Sequence, residues 1–170
     1  YRGQSSQMFP MKSMTVETRY YDGTNRELEL LGMSEESDWV LYSTFYDKSL
    51  MRNVLTYDLA RETVGWAPKT KFVEVWINTE YFGIYVLVEK IKRDSQRVDI
   101  KKLESDENEG INLSGGYIFK IDKQSPDDFS WVSSYASNLF NPSRSGSSVS
   151  FQVVYPKSEN ITNSQRSYII

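Results

Sequence analysis

Two β-rich runs at 72–77 and 83–91, joined by Asn78-Thr79-Glu80-Tyr81, constrain this chain more than any other feature. Paired runs of branched and aromatic residues around a short polar break specify a β-hairpin. The second run contains Ile84-Tyr85-Val86-Leu87-Val88, apolar at odd and even positions alike. A strand with two apolar faces belongs at the centre of a sheet, because an edge or half-solvated position would leave one face in water.

The remaining segments arrange themselves around that hairpin. Residues 12–21 alternate polar and apolar, are rich in Thr, Val and Tyr, and stop at Asp22-Gly23, which reads as a strand and tight turn. Shorter strand-like runs follow at 27–31 and 39–42, separated by the Ser/Glu-rich stretch 34–38. Residues 47–62 carry Leu50, Met51, Val54, Leu55 and Leu59 on one helical face, with Asp47 placed as N-cap. Gly65 and Pro68 end that helix. Residues 98–103 precede an acidic loop at 104–115, and a strand resumes at 117–121. Ser, Asp, Asn, Pro and Gly dominate 124–148, which predicts a long loop or mobile insert. A strand at 149–155 is followed by Pro156 and Thr162, which suit entry to a final helix. The expected architecture is α+β, a mostly antiparallel sheet with a packed helix, and 170 residues fit one domain of ordinary size.

Composition removes several function classes. With 39% apolar and 25% charged residues, the chain has enough apolar surface to fold around a core. Its longest apolar runs have the length of a buried strand, far below the roughly 18 residues of a bilayer span. A formal charge of -3 argues against nucleic acid as partner. With no cysteine and no histidine, a thiolate zinc site, a Cys nucleophile, a Ser-His pair and a disulfide are all excluded. Any chemistry uses Asp, Glu, Lys, Arg, Ser or Tyr. The chain opens on Tyr1 without an initiator Met and closes on the apolar run Tyr168-Ile169-Ile170, so both ends read as cut from a longer protein.

Several segments carry candidate chemistry beside a plainer structural reading. Arg2-Gly-Gln-Ser-Ser-Gln can form a small-residue loop whose N–H groups and hydroxyls approach phosphate oxygens, with Arg2 or Lys12 supplying charge; taken alone, a Gly beside two serines is more often an ordinary turn. No Gly-Lys-Ser/Thr follows, so it is not a Walker A loop. Lys48 and Arg52 lie four apart at the start of the helix, as two cations for an anion or as a solvated face. Glu89-Lys90-Ile91-Lys92-Arg93-Asp94 is a dense run of charge where the central strand leaves the sheet, a place that often lines a cleft. Nothing in their spacing sets Asp94 and Asp99 at the separation a glycosidase pair needs. The sequons at Asn112 and Asn160 carry no functional weight.

Taken in order, these segments match a family pattern. Arg2-Gly-Gln-Ser-Ser-Gln-Met-Phe-Pro-Met-Lys-Ser resembles the Arg-Gly-x-Ser-Ser and Phe-Pro-Lys-Lys-Ser hallmark of the CotH family of atypical protein kinases. Leu31-Gly-Met, Asp38-Trp-Val-Leu, Asp47-Lys-Ser-Leu-Met-Arg-Asn-Val-Leu, Phe72-Val-Glu-Val, Gly83-Ile-Tyr-Val-Leu-Val-Glu-Lys, Arg97-Val-Asp-Ile and Gly115-Gly-Tyr-Ile-Phe-Lys-Ile-Asp follow in the family's order, and Tyr155-Pro-Lys comes later. The resemblance implies part of a divergent kinase-like fold that transfers phosphate from ATP, with Mg or Mn, to Ser or Thr of a protein. It implies a secreted, surface or spore-coat setting, with an export signal upstream. By the same analogy Arg2, Ser5, Ser6, Lys12, Arg52, Glu89 and Lys90 form the nucleotide-binding surface. The loop and Lys12 lie over the phosphates, the helix plays the part of the kinase C helix, and residues 88–90 approach the adenine.

Two departures temper that expectation. Met11 replaces the first lysine of the hallmark pair, leaving Lys12 alone. The catalytic Asp in an Asn-x-Asp context and the metal-binding Asp in a Trp-Asp-x-Asp context lie after the Tyr-Pro segment in the family, and neither motif occurs here. No catalytic or metal-binding residue is therefore assigned. The competing expectation is a non-catalytic adhesin or coat-scaffold module with the same fold.

Overall fold

A computed structural model describes residues 1–3, 5–122, 128–136 and 148–170. These form two compact units, Tyr1–Ile91 and Lys92–Ile170. All strand ladders in both units are antiparallel, with helices beside them, so the α+β expectation holds.

The first unit is built on β1 (Met14–Glu17), β4 (Asp38–Ser43), β5 (Thr70–Ile77) and β6 (Glu80–Glu89), in the order β1-β4-β6-β5. The doubly apolar run lies in β6, which pairs β4 through Val40↔Val88 and Tyr42↔Val86 and pairs β5 through Phe72↔Val86. Alternation along β4 and β6 splits their side chains between two cores. Val40, Val86 and Val88 face one side, where α1 (Arg52–Thr63) lays Val54 and Tyr57 over them. Trp39 and Leu87 face the other with Met33, joined by Leu30, Leu41, Val16 and Val73. Met33 and Leu30 come from a small hairpin, β2 (Leu28–Leu30) with β3 (Met33–Glu36), which covers that face. Each fully buried side chain of this size contributes about 1.5–3 kcal/mol, so one strand carrying both cores organises the unit.

Two expectations need correction here. The stretch 34–38, expected as a separator, contains most of β3, because Glu36 is buried and its carboxylate accepts from the Ser37 N–H at 2.8 Å. The helix begins at Arg52 and not at Asp47, since Leu50 takes φ 61 and breaks the helical path. Its apolar stripe is divided as well: Val54 and Tyr57 pack on the sheet, while Met51, Leu55 and Leu59 are exposed.

Asp47 still serves the helix, from five residues before its first turn. Its Oδ2 accepts from the Arg52 N–H at 2.8 Å, and its Oδ1 accepts from the N–H and hydroxyl of Ser49 at 3.0 and 2.6 Å. The Ser49 hydroxyl and the Arg52 N–H hold this carboxyl below its ordinary value of 3.8, and desolvation opposes them only in part. A depressed carboxylate stabilises the fold fully above the ordinary value and loses that contribution as pH falls through the folded one. Asp47→Ala is therefore expected to lower the melting temperature at neutral pH, with the gap to the parent closing below the ordinary value. Melting curves across an acid series check this; a gap independent of pH would refute it.

The second unit has β7 (Ile118–Lys120), β8 (Ser130–Ala136) and β9 (Ser148–Tyr155) in the order β7-β9-β8, with α2 (Gly110–Leu113) and α3 (Asn163–Ile169). Within the stretch 124–148 expected as a loop, Ser130–Ala136 is a strand, while 124–127 and 137–147 lie outside the described residues. The expected entry to the last helix holds: the Thr162 hydroxyl accepts from the Gln165 N–H, and the Gln165 side chain accepts from the Thr162 N–H. Gln165 is buried and its amide also donates to the Glu104 and Glu107 carbonyls, tying the acidic loop to α3.

Candidate functional site

Residues 2–13 form a closed loop at the entrance to β1. The Arg2 N–H donates to the Ser13 carbonyl at 2.9 Å, and the Gln7 side-chain amide donates to the Arg2 carbonyl at 2.6 Å. Gly3, at φ 82, turns the chain where a Cβ would be strained, and a 3-10 turn, Ser5–Met8, fills the span. The closure sets Arg2 beside Lys12 and Ser13, ten and eleven residues away in sequence. Lys12 Nζ lies 5.2 Å from the centre of the Tyr1 ring. The side chains of Ser5 and Ser6 are outside the described part.

A serine pair pins this loop to the sheet. The buried Ser13 hydroxyl accepts from the Ser43 N–H at 2.9 Å, and the Ser43 hydroxyl donates to the Met11 carbonyl at 2.9 Å. Met11 reaches the Gly83 backbone of β6, where an added Cβ would meet its methyl at 3.7 Å. Beneath the loop, burial and the nearby Tyr1 push the Tyr85 phenol up. At the end of β4 the chain continues into Phe45 and Tyr46, whose rings close a cluster with Phe9 from the loop, at 4.2–5.9 Å between centres.

The other candidates are placed differently. Arg52 opens α1 with its side chain 80% exposed and its Nε 3.6 Å from Asp47 Oδ1. The first N–H of that helix, at Arg52, is already taken by Asp47. Lys48 is exposed. Glu89 is buried at 2% exposure, and its Oε2 accepts from the Lys69 N–H at 2.9 Å, fastening the start of β5 to the end of β6. Lys90 pairs with Asp38 at 3.0 Å. Glu89 and Lys90 thus sit at the Asp38 end of β4, and the pinned loop at its Ser43 end, about 17 Å along the strand at ~3.3 Å per residue. In the second unit, Asp94 caps a local turn by accepting from the Gln96 N–H at 2.8 Å, and Asp99 is exposed.

The electrostatics favour an anion at the loop. Residues 1–16 and 39–57 carry Arg2, Lys12, Lys48 and Arg52 against one carboxylate, Asp47, in a chain whose net charge is -3. That carboxylate is committed to Ser49 and Arg52. Sequence reasoning picked out the loop and its cations but gave no role to Ser13, Ser43, Gln7 or the Phe9 cluster. Ser13 was visible at the end of the hallmark; Ser43 carried no signal, since its partner is thirty residues away.

The sequence profile of a family described as CotH kinase protein matches residues 1–169. No curated protein and no solved structure matches the chain.

Proposed function

The chain belongs to the CotH kinase family, and from that premise we propose that it supplies the phosphate-facing part of a kinase acting on Ser or Thr of a protein. The observation that carries this reading is the closed loop pinned to β4, which brings the backbone of Arg2 to Ser13, the residue after Lys12. In this proposal the phosphates of ATP lie against the loop, and the base lies toward the backbone of 88–90. The strand-helix-strand-strand run β4-α1-β5-β6, with α1 on one face, supports giving that helix the part of the kinase C helix. Unlike in ordinary protein kinases, β4 holds no lysine to pair with a helix glutamate.

The residues present fit the phosphates and not the metal. Arg2 and Lys12 offer charge-assisted donors to phosphate oxygens. Bound Mg or Mn would neutralise charge on the transferring group. Among the described residues, however, no three His, Cys, Asp or Glu side chains converge to hold an ion, and the sequence has neither Asn-x-Asp nor Trp-Asp-x-Asp. These residues bind and orient; the groups for the transfer step are not among them. The second reading is a non-catalytic adhesin or coat-scaffold module with the same fold. Either role suits a secreted, surface or spore-coat protein, and no helix among the described residues is long and apolar enough to cross a membrane.

The test is labelled-phosphate transfer from ATP with Mg or Mn, run on this chain and on a longer chain carrying both aspartate motifs. These 170 residues are expected to bind nucleotide without turnover. Lys12→Ala is expected to weaken binding on the order of tenfold or more, the loss of one charge-assisted contact of about 1.5–3 kcal/mol. Unchanged affinity would remove the phosphates from the loop, and turnover by this chain would show that its own residues suffice. A longer chain that is inactive with both motifs intact would favour the scaffold.

A further inference from the structure

We propose that this chain associates head to tail with a second copy of itself, the acidic β2–β3 hairpin of one copy seating on the cationic aromatic cluster of the next. The inference goes beyond the kinase reading and stands without it.

The socket is the cluster of Phe9, Phe45 and Tyr46 with the two cations that follow it. Phe45 and Tyr46 are 47% and 66% exposed although their rings contact Phe9 and each other. Lys48 and Arg52, two and six residues after Tyr46, are exposed, and the intervening Asp47 is buried and hydrogen-bonded. The surface is therefore apolar at its centre and positive at its rim. Such a surface takes an apolar anchor with acidic neighbours.

The same chain presents that chemistry. From Glu27 to Asp38 the sequence has five carboxylates, Glu27, Glu29, Glu35, Glu36 and Asp38, and no lysine or arginine. Glu27, Glu29 and Glu35 are exposed. The hairpin turns through Leu31 and Gly32, at φ 54 and 75, and Leu31 is 56% exposed. A two-residue turn with both φ positive ordinarily takes Asn-Gly. Here a bulky apolar residue holds the strained position and faces water, so the tip carries an anchor its own fold does not bury.

The register orients the two surfaces. Glu17 pairs with Asp38, so the hairpin is rooted at that end of the β1–β4 pair, while the cluster follows β4 at Ser43, the other end. Two different surfaces rooted at opposite ends of one strand make a heterologous contact, which propagates from copy to copy unless its rotation closes a ring.

Sedimentation velocity at rising protein concentration tests this, in low and high salt. Association should grow past a dimer with concentration and weaken in 1 M salt, where the Debye length falls from about 8 Å to about 3 Å. A tip variant, Leu31→Asn with Glu29→Lys and Glu35→Lys, keeps a residue that tolerates positive φ. A socket variant is Tyr46→Ala with Lys48→Glu; Arg52 is left in place to spare α1. Each variant alone should associate at least about tenfold more weakly. Mixed, they should stop at a one-to-one complex, because the tip variant retains a socket and the socket variant retains a tip. Matching melting curves show that both fold. A parent that stays monomeric, association indifferent to salt and to both variants, or a mixture without the one-to-one complex would each overturn the proposal.

Discussion

Trp39→Ala is expected to remove about 3–5 kcal/mol from the stability of the first unit, the range for deleting a large buried ring. Trp39 is 0% exposed and sits with Met33 and Leu87 in the core between the sheet and the small hairpin. Its indole N–H donates to the Glu36 carbonyl at 3.0 Å, so truncation also removes that hydrogen bond. Against a typical total of about 5–15 kcal/mol, the loss takes much or all of the margin. Trp39→Phe keeps most of the ring and loses the donor, and should fall between parent and alanine. Urea unfolding of the three proteins checks the order. A phenylalanine variant as weak as the alanine one would mean that the hydrogen bond, and not the ring, holds this corner.

Gly116→Ala is the second large effect. Gly116 lies at φ +83, and a Cβ there would stand 2.3 Å from the Lys101 carbonyl oxygen and 3.3 Å from its carbon. Backbone cannot swing aside as a flexible side chain does, so the segment at 101 or the turn at 116 must move. Gly110 supplies the control, because it has φ +60 and nothing within 4 Å of an added Cβ. Gly110→Ala should lose about 1 kcal/mol for conformation alone, and Gly116→Ala distinctly more. Thermal unfolding of both variants reads the difference directly, and equal losses would remove the close approach from the account.

The hairpin was legible because β6 has no polar face to mislead, and its partner lies next to it in sequence. The turn was placed too wide: Asn78 and Thr79 alone make it, at φ 56 and 96, and Tyr81 continues the strand to pair with Trp76. Thr at positive φ is an unfavourable residue that gives no turn signal. Helix α1 was legible as a helix and misread in its start and its face. Leu50 and Leu59 fit the spacing, but it is Val54 and Tyr57 that pack on the sheet. Strand β3 was hidden because Met-Ser-Glu-Glu reads as solvent-facing until Glu36 finds its partner at Ser37. At the candidate site, the cations were visible as residue types. The closure of the loop was not, since it depends on Arg2 meeting Ser13 and on Ser43 meeting Met11.

The order β1-β4-β6-β5 also bears on how the chain is made. Strand β4 leaves the ribosome long before β6, yet its neighbour in the finished sheet is β6 and not β5. Until Glu89 emerges, β4 has only β1 for a partner, and its Val40 lacks the strand that shares its core. β5 and β6 can zip locally as soon as both exist, whereas β4 must close a loop that spans the whole of α1 and β5. A nascent chain halted before residue 80 therefore carries an unfinished apolar edge, and this is the length at which a holding chaperone has most to protect.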